Sequence, residues 1–160
     1  MSRTGEMAST QRGFTLIEVV VVLAILALVT ALALPLMSGA QSKADTQTAA
    51  REVAAGLRTT RDLAMMHGHA EAFSIDTASG AFRAGSTTSP RRIPRGVRLI
   101  LITTTEDRIG ETAGRIRFFP DGSSTGGGVQ LSKGNSRNEV LVDWLTGRVS
   151  IGAGADAAAP

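Results

Sequence analysis

A chain of 160 residues, 42% hydrophobic but only 4% aromatic, allows one domain of ordinary size whose core rests on Val, Ile, Leu and a few Phe. It contains no cysteine, which excludes disulfides and thiolate metal sites. The formal charge of +3 is small, and a pI near 10.5 that follows from a slight Arg excess without Cys or Tyr supports no claim on nucleic acid.

Residues 1–13 are a short leader that carries Arg3 and Arg12 and ends in Gly13. Phe14-Thr15-Leu16-Ile17-Glu18 follows and opens an apolar run that lasts to Leu34, in which only Thr15, Glu18 and Thr30 are polar. A helix over that run spans about 31 Å, close to the hydrocarbon thickness of a bilayer. Residues 14–36 are therefore expected to form a transmembrane N-terminal helix. Arg3 and Arg12 precede it while Lys43 and Asp45 cancel beyond it, so the positive-inside rule keeps the N-terminus cytoplasmic and the rest outside. Pro35 is expected to bend the helix or melt a turn. A cleavable secretory signal, cut at Ala31-Leu32-Ala33 or Ser38-Gly39-Ala40, is the rival reading. The run is longer than the usual apolar region of such signals, and Glu18 lies inside it. A plain membrane anchor has no use for Glu18, because a lone carboxylate in hydrocarbon costs about 3 kcal/mol or more and marks function.

Residues 37–68 read as an amphipathic continuation of the helix. Ala49, Val53, Gly56, Leu57, Thr60 and Ala64 recur at spacings of three and four, opposite Arg51, Glu52, Arg58, Arg61 and Asp62. Gly68 supplies a stop. His67 and His69, two residues apart, point to different helix faces with no acidic ligands beside them, so they read as a solvated helix end and no metal is expected.

Residues 69–151 change to strand periodicity. Strands are expected at Ala72–Asp76, Ala81–Ala84, Val97–Thr103, Arg115–Phe119, Val129–Leu131, Glu139–Trp144 and Arg148–Ile151. Turn signals such as Ser79-Gly80, Asp121-Gly122 and Thr146-Gly147 separate them, and short connections favour antiparallel pairing. The fold class is α+β, with one long N-terminal helix packed on an antiparallel β-sheet head. Gly85 to Arg98 is polar and turn-rich, and its arginines (Arg91, Arg92, Arg95, Arg98) read as a solvated loop or a docking surface for acidic groups. Residues 152–160 are expected to form a flexible tail.

No catalytic or cofactor site emerges. Gly126-Gly127-Gly128 lacks the Lys and the following helix of a phosphate loop. Asp121 and Asp143 fail the spacing of a calcium-binding loop, and Trp144 with Val140 and Val142 reads as core or sheet packing. There is no nucleophile with a base to activate it, so the chain is expected not to be an enzyme.

Arg12-Gly13-Phe14-Thr15-Leu16-Ile17-Glu18 and the aliphatic helix after it resemble the class III signal of type IV pilins and type II secretion pseudopilins. The resemblance implies cleavage by prepilin peptidase between Gly13 and Phe14, and N-methylation of Phe14. It also implies that Glu18 meets the Phe14 amine of an adjacent subunit and sets the assembly register. Such proteins have a lollipop shape. Phe118-Phe119-Pro120-Asp121-Gly122-Ser123-Ser124-Thr125-Gly126-Gly127, followed by Val140-Leu141-Val142-Asp143-Trp144-Leu145-Thr146-Gly147-Arg148-Val149, resembles the GspH-type minor pseudopilins of the GspH/FimT group. That likeness implies a structural subunit at the tip region of the type II secretion pseudopilus, supporting export of folded proteins across the outer membrane. The implied partners are other minor pseudopilins, the major pseudopilin, prepilin peptidase and the inner-membrane assembly platform. The implied location is the cell inner membrane, single-pass, with a periplasmic head. Major pseudopilins are associated with calcium, but this chain has no matching acidic loop. The alternative is a FimT/FimU-like minor pilin of a type IV pilus, a group with branches that bind DNA during uptake. The DNA-binding branch is associated with Gly-Arg-x-Arg, and Gly147-Arg148-Val149-Ser150 lacks the second arginine.

Overall fold

The computed structural model describes residues 15–153, without the side chains of residues 31–38. The leader, Phe14 and residues 154–160 lie outside the described residues. The chain divides into two units, residues 1–37 and 38–160, with helix α1 (Leu16–His67) running through residues of both. Pro35 is helical like its neighbours, so it does not melt a turn.

In the first unit, Thr15 caps the helix. Its Oγ1 accepts the backbone N–H of Glu18 at 3.3 Å, which places Glu18 where a capping box puts its carboxylate. Thr30 satisfies its hydroxyl inside the helix by donating to the carbonyls of Leu26 and Ala27 at 2.8 and 2.9 Å. The large apolar side chains from Leu16 to Val29 are all about half exposed or more. Among the described residues no helix is long and apolar enough to cross a membrane. Within the apolar run the described side chains end at Thr30, so they cover about 24 Å of helix, short of a bilayer core. The remainder of the span expected at residues 14–36 lies outside the described side chains.

The second unit is built on the rest of α1. Ala49, Val53, Leu57, Thr60 and Ala64 are fully buried, as their spacing predicts, together with Ala50 and Ala54. Gly56 lets the sheet come close, because a Cβ there would stand 2.9 Å from Phe73 Cε2. The strands are β1 (Glu71–Asp76), β2 (Ala81–Ala84), β3 (Arg91–Arg92), β4 (Arg98–Ile102), β5 (Arg108–Ile109), β6 (Ala113–Phe118), β7 (Gly127–Lys133), β8 (Ser136–Val142) and β9 (Val149–Ala153). A 3-10 turn, Thr105–Asp107, precedes β5.

These strands form two antiparallel sheets where the sequence suggests one. One has the order β3-β2-β1-β6-β5 and the other β4-β7-β8-β9. The split arises because β4 pairs with β7, residue Leu99 opposite Leu131, and not with its chain neighbours. Phe73, Ile75, Phe82, Ile116 and Phe118 from the first sheet and Val129, Leu131, Val140 and Val142 from the second join the helix face in one buried core. Burying Phe73 or Leu57 contributes about 2–3 kcal/mol each. Polar ties stitch the helix to the second sheet: Thr46 Oγ1 to Ser136 Oγ at 2.7 Å and Lys133 Nζ to Asp45 at 2.7 Å.

Three expectations change. β8 ends at Val142, and Trp144 stands in the following turn at 65% exposure, so it is not a core residue. Asp143 begins that turn by capping its own backbone, which breaks the strand alternation before Trp144 is reached. The 85–98 segment is not simply a solvated loop, since Arg91–Arg92 form an edge strand on β2 and Ile93 is buried. β9 also continues to Ala153, two residues past the expected strand end.

Candidate assembly site

The C-terminal turns and helix α1 meet at Arg61. In the turn after β6, Asp121 Oδ1 accepts Ser123 N–H at 3.0 Å and Ser123 O–H at 2.6 Å. In the turn after β8, Asp143 Oδ1 accepts Thr146 N–H at 2.8 Å and Thr146 O–H at 2.7 Å. Both carboxyls are held below their ordinary range, first by the hydroxyl donor of Ser123 or Thr146 and then by the same residue's N–H. The two turns are tied together, since Ser124 N–H donates to Trp144 O at 2.9 Å and Ser124 O–H to Asp143 O at 3.1 Å. Gly147 sits at φ +61, and a Cβ there would collide with the Gly122 carbonyl oxygen. That same oxygen accepts Arg61 Nε–H at 3.0 Å, while Arg58 Nη2 donates to Val149 O at 3.2 Å. The Asp-Gly and Thr-Gly motifs are therefore one structural device, two turns nested on a helix arginine.

Beside this junction lies a cavity of about 650 Å³ lined by Arg58, Arg61, Asp62, Thr146, Gly147 and Arg148. Three guanidinium groups against one carboxylate give its lining a net positive charge, of the kind that suits a carboxylate or another anion. Sequence reading placed Arg58 and Arg61 on the helix face opposite the apolar stripe and Arg148 at the start of the last strand. Only the packing of α1 against the β8–β9 turn brings Arg148 to them.

A second polar centre is buried. Asp107 is fully buried, 2.9 Å from Arg115 Nε, with Arg117 Nε at 2.8 Å but poorly aligned for a hydrogen bond. Burial raises the Asp107 carboxyl, but the Arg115 and Arg117 guanidiniums outweigh it and hold the group below its ordinary range. It fastens the 3-10 turn to β6 and is structural.

Among the arginines of residues 85–98, Arg91 lies 5.7 Å above the Phe82 ring and 3.7 Å from Glu52, while Arg92, Arg95 and Arg98 are exposed. Glu18 is exposed on the first unit, and Gly13 and Phe14 lie outside the described residues. His67 and His69 are not a bare helix end. Gly68 at φ +69 turns the chain, and both rings come to the buried carboxylate of Glu71.

The prokaryotic N-terminal methylation motif matches residues 8–34. The type II transport protein GspH family matches residues 49–147, from the first buried alanine of α1 to the glycine nested on Gly122. The chain belongs to the GspH family. Type II secretion system protein H of Xanthomonas campestris pv. campestris is 31% identical over 141 residues, which cover 88% of this chain and 83% of that protein. The type IV major alpha-pilin of Moraxella bovis is 37% identical over 79 residues, 49% of each chain. The minor pseudopilin EpsH of Vibrio cholerae shares the fold, with a TM-score of 0.53 at 15% identity over 70% of this chain and 99% of that one. The helix-on-antiparallel-sheet class is thus that of the GspH pseudopilins, and family membership gives the chain a minor pseudopilin role in type II secretion.

Proposed function

We propose that this GspH-family chain is a non-enzymatic subunit of the pseudopilus tip region, cut between Gly13 and Phe14, methylated at Phe14 and held in the inner membrane. Its N-terminus faces the cytoplasm and its head the periplasm. The observation that carries this reading is the methylation motif at residues 8–34 feeding a helix whose large apolar side chains are exposed and whose one acidic group in the apolar run is Glu18. Such a surface is stable only in lipid or against other helices. A carboxylate placed there costs several kcal/mol unless paired, and the new Phe14 amine of a neighbouring subunit is a partner of the right charge. Pairing then selects one axial register. In the head, the three-arginine groove beside Gly147 takes an acidic group of a neighbouring pseudopilin.

An in-frame deletion complemented with the intact gene tests the reading. Accumulation of exported proteins in the periplasm, with pili intact, is the expected result. Normal secretion with lost piliation would move the chain to the alternative, a FimU-like minor pilin, which the match to the Moraxella pilin keeps in view.

A further inference from the structure

One cluster of metal-ligating side chains has no part in the assembly reading. α1 ends at His67, Gly68 reverses the chain in the left-handed region, and β1 begins at Glu71. Two histidines two residues apart diverge on a continuing helix, but this reversal brings their ring centroids to 5.4 Å. Both Nδ1 atoms face the same carboxylate oxygen, His67 at 3.2 Å and His69 at 3.9 Å from Glu71 Oε1. One ligand atom from each of the three residues lies within 4.8 Å of the others.

The carboxylate is fixed in place. Its side chain is 3% exposed, Ser86 N–H donates to Oε2 at 2.8 Å, and Ser86 O–H donates to Oε1 at 2.9 Å. Gly85, at φ +75, permits this approach, since a Cβ there would stand 2.8 Å from Leu63 and 3.2 Å from Glu71 Oε2. A ligating carboxylate oriented by a hydroxyl and an amide is the outer-shell support that metal sites require. The imidazoles lie on the open side, His69 at 63% exposure, so an ion reaches them from solvent.

Ligand atoms about 2.0–2.1 Å from a tetrahedral ion are about 3.3 Å apart, which the His67–Glu71 pair already satisfies. The exposed His69 ring, whose Nδ1 lies 3.3 Å from the Ala70 carbonyl oxygen, closes the rest by rotating away from that carbonyl with its proton on Nε2. Two imidazole nitrogens and one carboxylate oxygen suit a borderline divalent ion such as zinc, whereas calcium and magnesium take oxygen ligands. We propose that His67, His69 and Glu71 form a binding site for a divalent transition metal of the zinc class, with the remaining coordination position open. At His67 the metal replaces the Nδ1 proton now shared with Glu71, and that proton moves to Nε2. Through Glu71 and Ser86 the ion would clamp the end of α1, the start of β1 and the segment after β2.

The full chain, purified in detergent with a tag free of histidine, holds only these two imidazoles. Zinc titrated against a chromogenic competitor chelator should bind at one ion per chain, and saturating zinc should raise the thermal midpoint. His69→Ala, which alters an exposed ring, should weaken binding by about tenfold or more and abolish the thermal shift. His67→Ala and Glu71→Gln should each do the same, and Ser86→Ala should weaken binding by about tenfold. No binding at about 100 μM free zinc would overturn the proposal. So would binding that survives any one of the His69, His67 or Glu71 replacements.

Discussion

The two units of this chain satisfy their polar groups over very different distances in sequence. In the first unit the hydroxyls of Thr15 and Thr30 bond within one helical turn, Thr15 with Glu18 and Thr30 with Leu26 and Ala27, while the large apolar side chains are exposed. In the second, Arg61 reaches Gly122, Thr46 reaches Ser136, Asp107 meets Arg115 and Ser86 meets Glu71. A helix that needs nothing but itself for hydrogen bonds, yet exposes its apolar surface, is incomplete without lipid or sister helices. The head instead draws donors and acceptors from distant segments into one packed core. On the proposed function, the first unit supplies the helix that packs against lipid or sister subunits, and the second presents the arginine groove to a neighbour.

The largest expected effect attacks the first unit before it is made ready. Gly13→Leu should abolish processing, seen as a single unshifted band on a gel; normal cleavage would remove the assigned cut site. Next, Glu18→Val should leave membrane insertion intact and lower incorporation into the filament by about tenfold, because the neighbouring amine loses its partner. Normal incorporation measured by cross-linking in isolated filaments would end the register argument.

In the head, effects should appear as stability and not as assembly register. Asp107→Ala takes the buried anion from Arg115 and leaves Arg117 to the exposed Glu106 at 3.8 Å, and should destabilise the full chain by about 2–3 kcal/mol in urea, discounted because both arginines are partly exposed. The sign with pH follows from the lowered folded-state carboxyl. Its contribution is complete above the ordinary value of 3.8 and is lost as pH falls through the lower folded value. The intact chain should therefore lose more stability between pH 5 and about pH 2 than Asp107→Asn does; parallel curves would show that the ion pair adds nothing. Gly147→Ala should cost about 2 kcal/mol, since it forces a Cβ into the left-handed region and onto Gly122 O. Truncation after Ala153 should change stability by less than about 0.5 kcal/mol, because β9 is retained whole. A loss of secretion on that truncation would make the tail a contact surface.

Much of this was legible without coordinates. The helix face of Ala49, Val53, Leu57, Thr60 and Ala64 announced itself at spacings of three and four, and all seven expected strands are present within a few residues. The two-residue strands β3 and β5 were not legible, because so short a segment has no periodicity of its own and pairs only where a neighbour offers an edge. Trp144 was misplaced because alternation from Val140 and Val142 continues to it on paper, whereas the Asp143 turn ends the strand first.

Local chemistry is what the sequence alone determined: the N-terminal methylation motif, an apolar run with one carboxylate, the amphipathic face, and the turns at Asp121-Gly122 and Thr146-Gly147. Those features depend on residues within a few positions of one another, so their order along the chain encodes them. Tertiary structure alone decided which distant groups meet: two sheets where one was expected, Arg148 beside Arg58 and Arg61, and His67 and His69 around Glu71. Such meetings follow from core packing and from a single left-handed glycine, and neither leaves a periodic mark in the residues it brings together.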